Sequence, residues 1–88
     1  STTDQIDAAR RGAVYVGRIA REKGVRTLLE AWRALNGTPL DVIGDGPERG
    51  GMEALARSFA MDGVRFHGRL GPGPRLEVLR RAGYLVFP

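Results

Sequence analysis

The sequence has no cysteine, a single histidine and few aromatic residues, namely one tryptophan, two tyrosines and three phenylalanines among 88 residues. The lack of cysteine excludes a disulfide framework, thiol catalysis and cysteine-based metal sites, and His67 alone cannot form a histidine cluster for zinc. No apolar run approaches the roughly 20 residues of a membrane span, and the first residues lack the apolar segment of a signal peptide. We therefore expect a cytoplasmic protein with no metal ion, no cofactor and no membrane span.

Lysine is almost absent, since only Lys23 among the 14 basic residues is not arginine, and the formal net charge is +4. Arginine suits phosphate groups because its planar guanidinium donates two parallel hydrogen bonds and stays charged. Most of these arginines are expected to be solvated on helix faces, so the charge permits an anionic partner without identifying one. We expect no nucleic-acid partner, because the sequence has neither a recognition-helix motif nor an aromatic platform.

Short apolar runs alternate with helical stripes along the chain. Runs of this length that are rich in β-branched and aromatic residues indicate buried parallel strands, and they cover residues 13–16, 40–43, 64–67 and 84–87. Apolar positions at helical spacing predict three intervening helices. Their stripes are Val25, Leu28, Leu29, Trp32 and Leu35; Met52, Leu55, Ala56 and Phe59; and Leu76, Leu79 and Ala82.

The order β-α-β-α-β-α-β predicts an α/β fold, with a Rossmann-like open parallel sheet and helices on both faces. We expect residues 1–11 to be a linker or a frayed start and residues 12–88 to form the domain. The last strand would be an apolar edge with few charges, which favours pairing with further strands. This predicts that the domain is truncated, or that the edge strand forms a homodimer.

Glycine follows each of the first three predicted strands, at the edge of a parallel sheet where ligands bind. The segments are Gly17-Arg18, Gly44-Asp45-Gly46-Pro47 and His67-Gly68-Arg69. Glycine either simply ends these strands or lets a phosphate approach the backbone. Arg18 and Lys23 flank the start of the first helix, which suits a diphosphate. Lys23 could instead pair with Glu22 or Glu48 on the surface, so the spacing leaves both interpretations open.

Five motifs occur in order along the chain, from about Gly12 to Pro88. They are Val16-Gly17-Arg18-Ile19 with Glu22-Lys23-Gly24-Val25, Leu28-Leu29-Glu30-Ala31-Trp32, Val42-Ile43-Gly44-Asp45-Gly46-Pro47, Val64-x-Phe66-x-Gly68 and Val86-Phe87-Pro88. Together they resemble the group-1 glycosyltransferases. The resemblance implies a retaining hexosyltransferase of the GT-B fold, in which two Rossmann-like domains face a cleft and the C-terminal one binds a nucleoside-diphosphate sugar.

The resemblance also implies roles for individual residues. Arg18 and Lys23 would hold the donor diphosphate, beside the strand-end residue Gly17. Gly44, Asp45 and Gly46 would shape the donor pocket. His67 and Gly68 would lie beside the nucleotide base, through the backbone, with no acid or base role for His67.

The family's acidic motif, which contacts sugar and ribose, and its acceptor-binding domain are both missing from this sequence. We therefore expect a fragment, whose partners are the nucleoside-diphosphate sugar and the missing remainder of the enzyme. The alternative is a non-catalytic Rossmann-like binding or assembly module.

Overall fold

The computed structural model describes residues 12–35 and 37–86, the last three of them as backbone. The predicted linker over residues 1–11 lies outside the described residues, as do Asn36, Phe87 and Pro88.

Four parallel strands form one sheet, as the sequence predicts. They are β1 (Ala13–Val16), β2 (Leu40–Ile43), β3 (Val64–Gly68) and β4 (Tyr84–Val86), in the order β3-β2-β1-β4. The central strand β1 pairs with β2 from Ala13 opposite Leu40, and with β4 from Ala13 opposite Tyr84. This is the strand order of the first half of a Rossmann fold, and it places β4 at one edge of the described sheet.

Each connection between consecutive strands contains a helix, which is what parallel pairing requires. The helices are α1 (Val25–Trp32), α2 (Arg49–Ser58) and α3 (Pro72–Arg81), and a 3₁₀ turn (Arg21–Lys23) precedes α1. Pro72 occupies the start of α3, where its missing N–H breaks no helical hydrogen bond. The predicted α/β architecture is therefore confirmed.

The sheet carries an apolar core on each face because successive strand residues point to opposite sides. One core packs the first face against α1 and α2; its buried residues are Ala13, Tyr15, Ile19, Val25, Leu29, Leu40, Val42 and Met52. The second core packs the other face against α3 through Val14, Ile43 and Val78. Helices therefore cover both faces, and the strand ends are left open for a site.

The first helix is shorter than its apolar stripe predicts. It ends at Trp32, and Leu35 is 44% exposed and so does not belong to the core. Tight turns follow the helix, with the Leu35 N–H donating to the Trp32 carbonyl at 2.9 Å. The Trp32 indole Nε1 then donates to the Thr38 carbonyl at 2.9 Å, which ties the start of the next segment back to the helix end.

The core face of α3 is also different from the predicted one. Leu76 is 48% exposed, while Val78, which was not predicted as core, is 4% exposed. Two residues correspond to about 200° around a helix, so Leu76 and Val78 lie on opposite sides. Leu79 and Ala82 pack partly against the second core, as predicted.

Candidate functional site

The carboxyl ends of the first three strands open into a cleft of about 450 Å³, which we call the strand-end cleft. Its lining residues are Gly17, Arg18, Gly44, Asp45, Gly46 and Arg69. Three loops contribute to it, one after each of β1, β2 and β3. Open parallel sheets bind ligands at this position because the loops there diverge and leave backbone groups accessible.

Backbone hydrogen bonds join these loops to one another. The Gly17 N–H donates to the Ile43 carbonyl at 3.0 Å, and the Ile19 N–H donates to the Asp45 carbonyl at 3.0 Å. The Gly44 N–H donates to the Gly68 carbonyl at 2.7 Å, which links the second loop to the third. The cleft wall is therefore a continuous hydrogen-bonded backbone surface.

Gly44 and Gly46 allow the first two loops to touch. A β-carbon on Gly44 would overlap the carbonyl oxygen of Gly17, and one on Gly46 would overlap the carbonyl oxygen of Ile19. Gly44 also has a φ of 138°, which side-chain-bearing residues rarely adopt. Contact between the loops therefore requires glycine at both positions, whether or not a ligand approaches them.

A hydrogen bond from a buried tyrosine holds the loop that carries Arg18. The Tyr15 hydroxyl donates to the Arg18 carbonyl at 2.8 Å, and the Tyr15 side chain is 1% exposed. Burial raises the pKa of the Tyr15 hydroxyl, so this donor keeps its proton well into alkaline conditions. The Arg18 backbone is thus fixed, while the residue remains exposed in the cleft.

Among the described residues of the lining, Asp45 is the single acidic one, and its carboxylate has defined partners. Its Oδ1 accepts the Gly46 N–H at 2.8 Å, and its Oδ2 accepts Arg49 Nη1 at 3.3 Å. The hydrogen bond from the Gly46 N–H is the largest cause that lowers the pKa of Asp45. The charge and hydrogen bond of Arg49, and the charge of Arg69, lower it further. Asp45 is therefore a charged and partnered group.

Arg69 is a cleft residue that the sequence places at a strand end but to which no binding role was assigned from the sequence. It follows Gly68 at the end of β3 and lines the cleft together with Arg18. The signal that identifies it is the one used for Arg18, namely an arginine directly after a strand-end glycine. The cleft therefore contains two arginines and one compensated carboxylate.

Comparison with known families gives the same assignment as the motifs. The sequence matches the family model described as glycosyl transferases group 1 over residues 10–88. The chain belongs to the group 1 glycosyltransferases. No individual curated protein matches the sequence.

The family resemblance predicts that Lys23 binds the diphosphate together with Arg18. Lys23 lies outside the lining of the strand-end cleft. It is exposed at the end of the 3₁₀ turn, and it forms an ion pair with neither Glu22 nor Glu48. The surface pairing considered as an alternative is thus not formed. The role of Lys23 toward a diphosphate stays a prediction.

His67 and Gly68 differ in how they relate to the cleft of this group 1 glycosyltransferase. His67 is an extra residue in the pairing of β2 with β3, where Phe66 lies opposite Val42 and Gly68 opposite Ile43. Its Nε2 lies 2.6 Å from Asp41 Oδ1, and both side chains are partly buried. The His67 ring thus pairs within the sheet, while Gly68 contributes its carbonyl to the loop contact.

The described residues contain no group of three or more histidine, aspartate or glutamate residues placed to hold a metal ion. Among their helices, none combines the length and apolar character that crossing a bilayer requires.

Proposed function

We propose that the strand-end cleft binds the diphosphate of a nucleoside-diphosphate sugar, as the donor-binding part of a GT-B glycosyltransferase. The observation that carries this proposal is the pair of arginines, Arg18 and Arg69, at the open ends of parallel strands in a group 1 glycosyltransferase. The cleft volume of about 450 Å³ is within the range of about 300–1,000 Å³ that small-ligand sites occupy.

The chemistry of glycosyl transfer fits a cationic cleft. When the sugar leaves the nucleotide, negative charge develops on the diphosphate, and fixed cations near that charge lower the barrier. Arg18 and Arg69 would supply two such cations without a proton transfer, because guanidinium groups stay protonated. Lys23, which lies just before α1, would add a third cation, as the family resemblance implies. A retaining hexosyl transfer is the reaction that this resemblance favours.

Binding of UDP and GDP to the isotope-labelled chain, followed by amide chemical shifts and by calorimetry, tests the proposal. We expect weak binding, with shifts concentrated at the glycines of the cleft. Arg18→Ala and Arg69→Ala should each weaken binding by about tenfold, as expected for a lost charge-assisted hydrogen bond. Arg18→Ala combined with Lys23→Ala should abolish detectable binding.

The matched control is Arg80→Ala, which removes an exposed arginine of α3 whose Nη1 donates to Glu77 Oε1 at 3.4 Å. Its affinity should equal that of the unchanged chain. Equal binding by the Arg18→Ala, Lys23→Ala double variant would contradict the diphosphate assignment. A strong, salt-dependent preference for DNA over both nucleotides would instead favour a nucleic-acid function.

A non-catalytic assembly through the edge strand β4 remains the alternative. It predicts a concentration-dependent dimer in sedimentation experiments and no effect of UDP or GDP on amide shifts in the cleft. Weak nucleotide binding by a monomeric chain would contradict that alternative.

A further inference from the structure

The strand-end cleft contains a feature that works against anion binding. Asp45 lines the same cleft as Arg18 and Arg69, and its pKa is lowered, so it carries a negative charge. An uncompensated carboxylate beside a diphosphate would repel it. Binding of an anionic ligand at this position therefore requires that the charge of Asp45 be offset by a group that the ligand does not displace.

Arg49, the first residue of α2, contacts that carboxylate and a second acidic residue. Its Nη1 donates to Asp45 Oδ2 at 3.3 Å, and its Nε donates to Glu53 Oε1 at 2.7 Å. The hydrogen bond to Glu53 fixes the direction of the guanidinium, and Arg49 does not line the cleft itself. The guanidinium thus contacts Asp45 without being among the residues that line the cleft.

The same guanidinium also covers the end of β3. A β-carbon on Gly68 would lie 2.8 Å from Arg49 Nη1, so the guanidinium occupies the space that a side chain would need. Arg49 therefore touches both the loop after β2 and the start of the loop that carries Arg69. One side chain couples the charge of Asp45 to the position of the third loop.

We propose that Arg49 is a positioning residue of the strand-end cleft, which offsets Asp45 so that an anionic ligand can lie between Arg18 and Arg69. The inference rests on the proposed function, because it concerns the same cleft. In this proposal Asp45 accepts hydrogen bonds from Arg49 and Gly46 and makes no contact with the ligand. Arg49 acts on the affinity by offsetting the charge of Asp45.

The test is a cycle of variants, with UDP and GDP as probes and calorimetry at low salt as the measurement. Arg49→Gln should weaken binding by about tenfold, the size expected for one exposed unit charge near the ligand. Adding Asp45→Asn to Arg49→Gln should restore most of the lost affinity, because the repelling charge is then gone. Arg80→Gln, which removes an equal charge from an ion pair on α3, should leave affinity unchanged.

A merely structural role for Arg49 would give a different pattern. Asp45→Asn would then fail to restore the affinity of Arg49→Gln, and that result would overturn the inference. Asp45→Asn alone should bind more tightly than the unchanged chain, because the charge of Arg49 is then no longer neutralised, and this tests the same idea even if Arg49→Gln does not fold. A tenfold loss in Asp45→Asn alone would make Asp45 a ligand contact and would also overturn it.

The outcomes separate the two proposals. If the unchanged chain shows no binding of either nucleotide, the proposed function fails and this inference fails with it. If the unchanged chain binds and Arg49→Gln binds equally well, the positioning role alone fails.

Discussion

The close contact between the first two loops predicts that Gly44→Ala destabilises the fold. The added methyl group would overlap the Gly17 carbonyl, and the loops would have to separate. Separation would weaken the Gly17–Ile43 and Ile19–Asp45 hydrogen bonds, each contributing about 1 kcal/mol. The backbone of Gly44, with its φ of 138°, adds strain of about 1 kcal/mol for any other residue. We expect a total loss of about 2–4 kcal/mol in the free energy of unfolding, a large part of the stability of a small domain.

Urea unfolding followed by the fluorescence of Trp32, the only tryptophan of the chain, measures this loss directly. Gly50→Ala is the matched control, because a β-carbon there would meet no atom within 4 Å and the residue lies in α2. That variant should be more stable than the unchanged chain by about 0.5–1 kcal/mol, from reduced freedom of the unfolded state and better helix propensity. The reasoning is refuted if Gly44→Ala unfolds at the same urea concentration as the unchanged chain.

Three further predictions concern substitutions of single residues. Tyr15→Phe removes the donor to the Arg18 carbonyl and should lower the free energy of unfolding by about 1 kcal/mol in urea titrations. Burial raises the pKa of Tyr15, so the stability it contributes is complete below about pH 10 and is lost at higher pH; in alkaline urea titrations this part of the decline should be absent from Tyr15→Phe. Ala60→Gly should raise the melting temperature, because Ala60 has a φ of 54° and the strain of about 1 kcal/mol disappears with glycine; an unchanged melting temperature would contradict this. Asp41→Ala removes the partner of His67 and should cost about 1–2 kcal/mol, whereas an effect below about 0.5 kcal/mol would show that the pair is unimportant.

The strands were predictable because apolar runs in a parallel sheet are continuous and end at glycine. The predicted bounds of β1 and β2 equal those observed, and β3 extends by one residue to include Gly68. Parallel pairing of the strands followed from the alternation of strands and helices. These signals are local, and tertiary packing reinforces them.

The helix ends and faces were less accessible from the sequence. The last turn of α2 ends with the Met61 N–H bonded to the Ala56 carbonyl and with Ala60 in the left-handed conformation. Glycine is the usual residue in the left-handed position after a helix, so an alanine at this position does not signal that the helix ends. On α3, two alternative apolar faces exist, and only contact with Val14 and Ile43 selects the one that contains Val78.

Those residues of the candidate site that follow strand ends could be predicted from the sequence. The directions of side chains in the candidate site could not. Gly17, Arg18, Gly44, Asp45 and Gly46 meet in one cleft because their strands are adjacent and parallel. The direction of the His67 side chain depends on the irregular pairing of β3 with β2, which no local pattern shows. Asp45 lies in the loop after β2 and Arg49 is the first residue of α2, and only the folded loop brings their side chains into contact.

Contact between the backbones of the first two loops has a consequence for how this site can be altered. A residue with a side chain at Gly44 or Gly46 would push against the neighbouring loop, so mutational tolerance there should be low. In the third connection, a β-carbon at Gly71 or Gly73 would meet no atom within 4 Å. A library intended to change ligand preference should therefore vary Gly71 and Gly73 and keep Arg69 and the two glycine loops intact, because a side chain at Gly71 or Gly73 would meet no neighbouring atom.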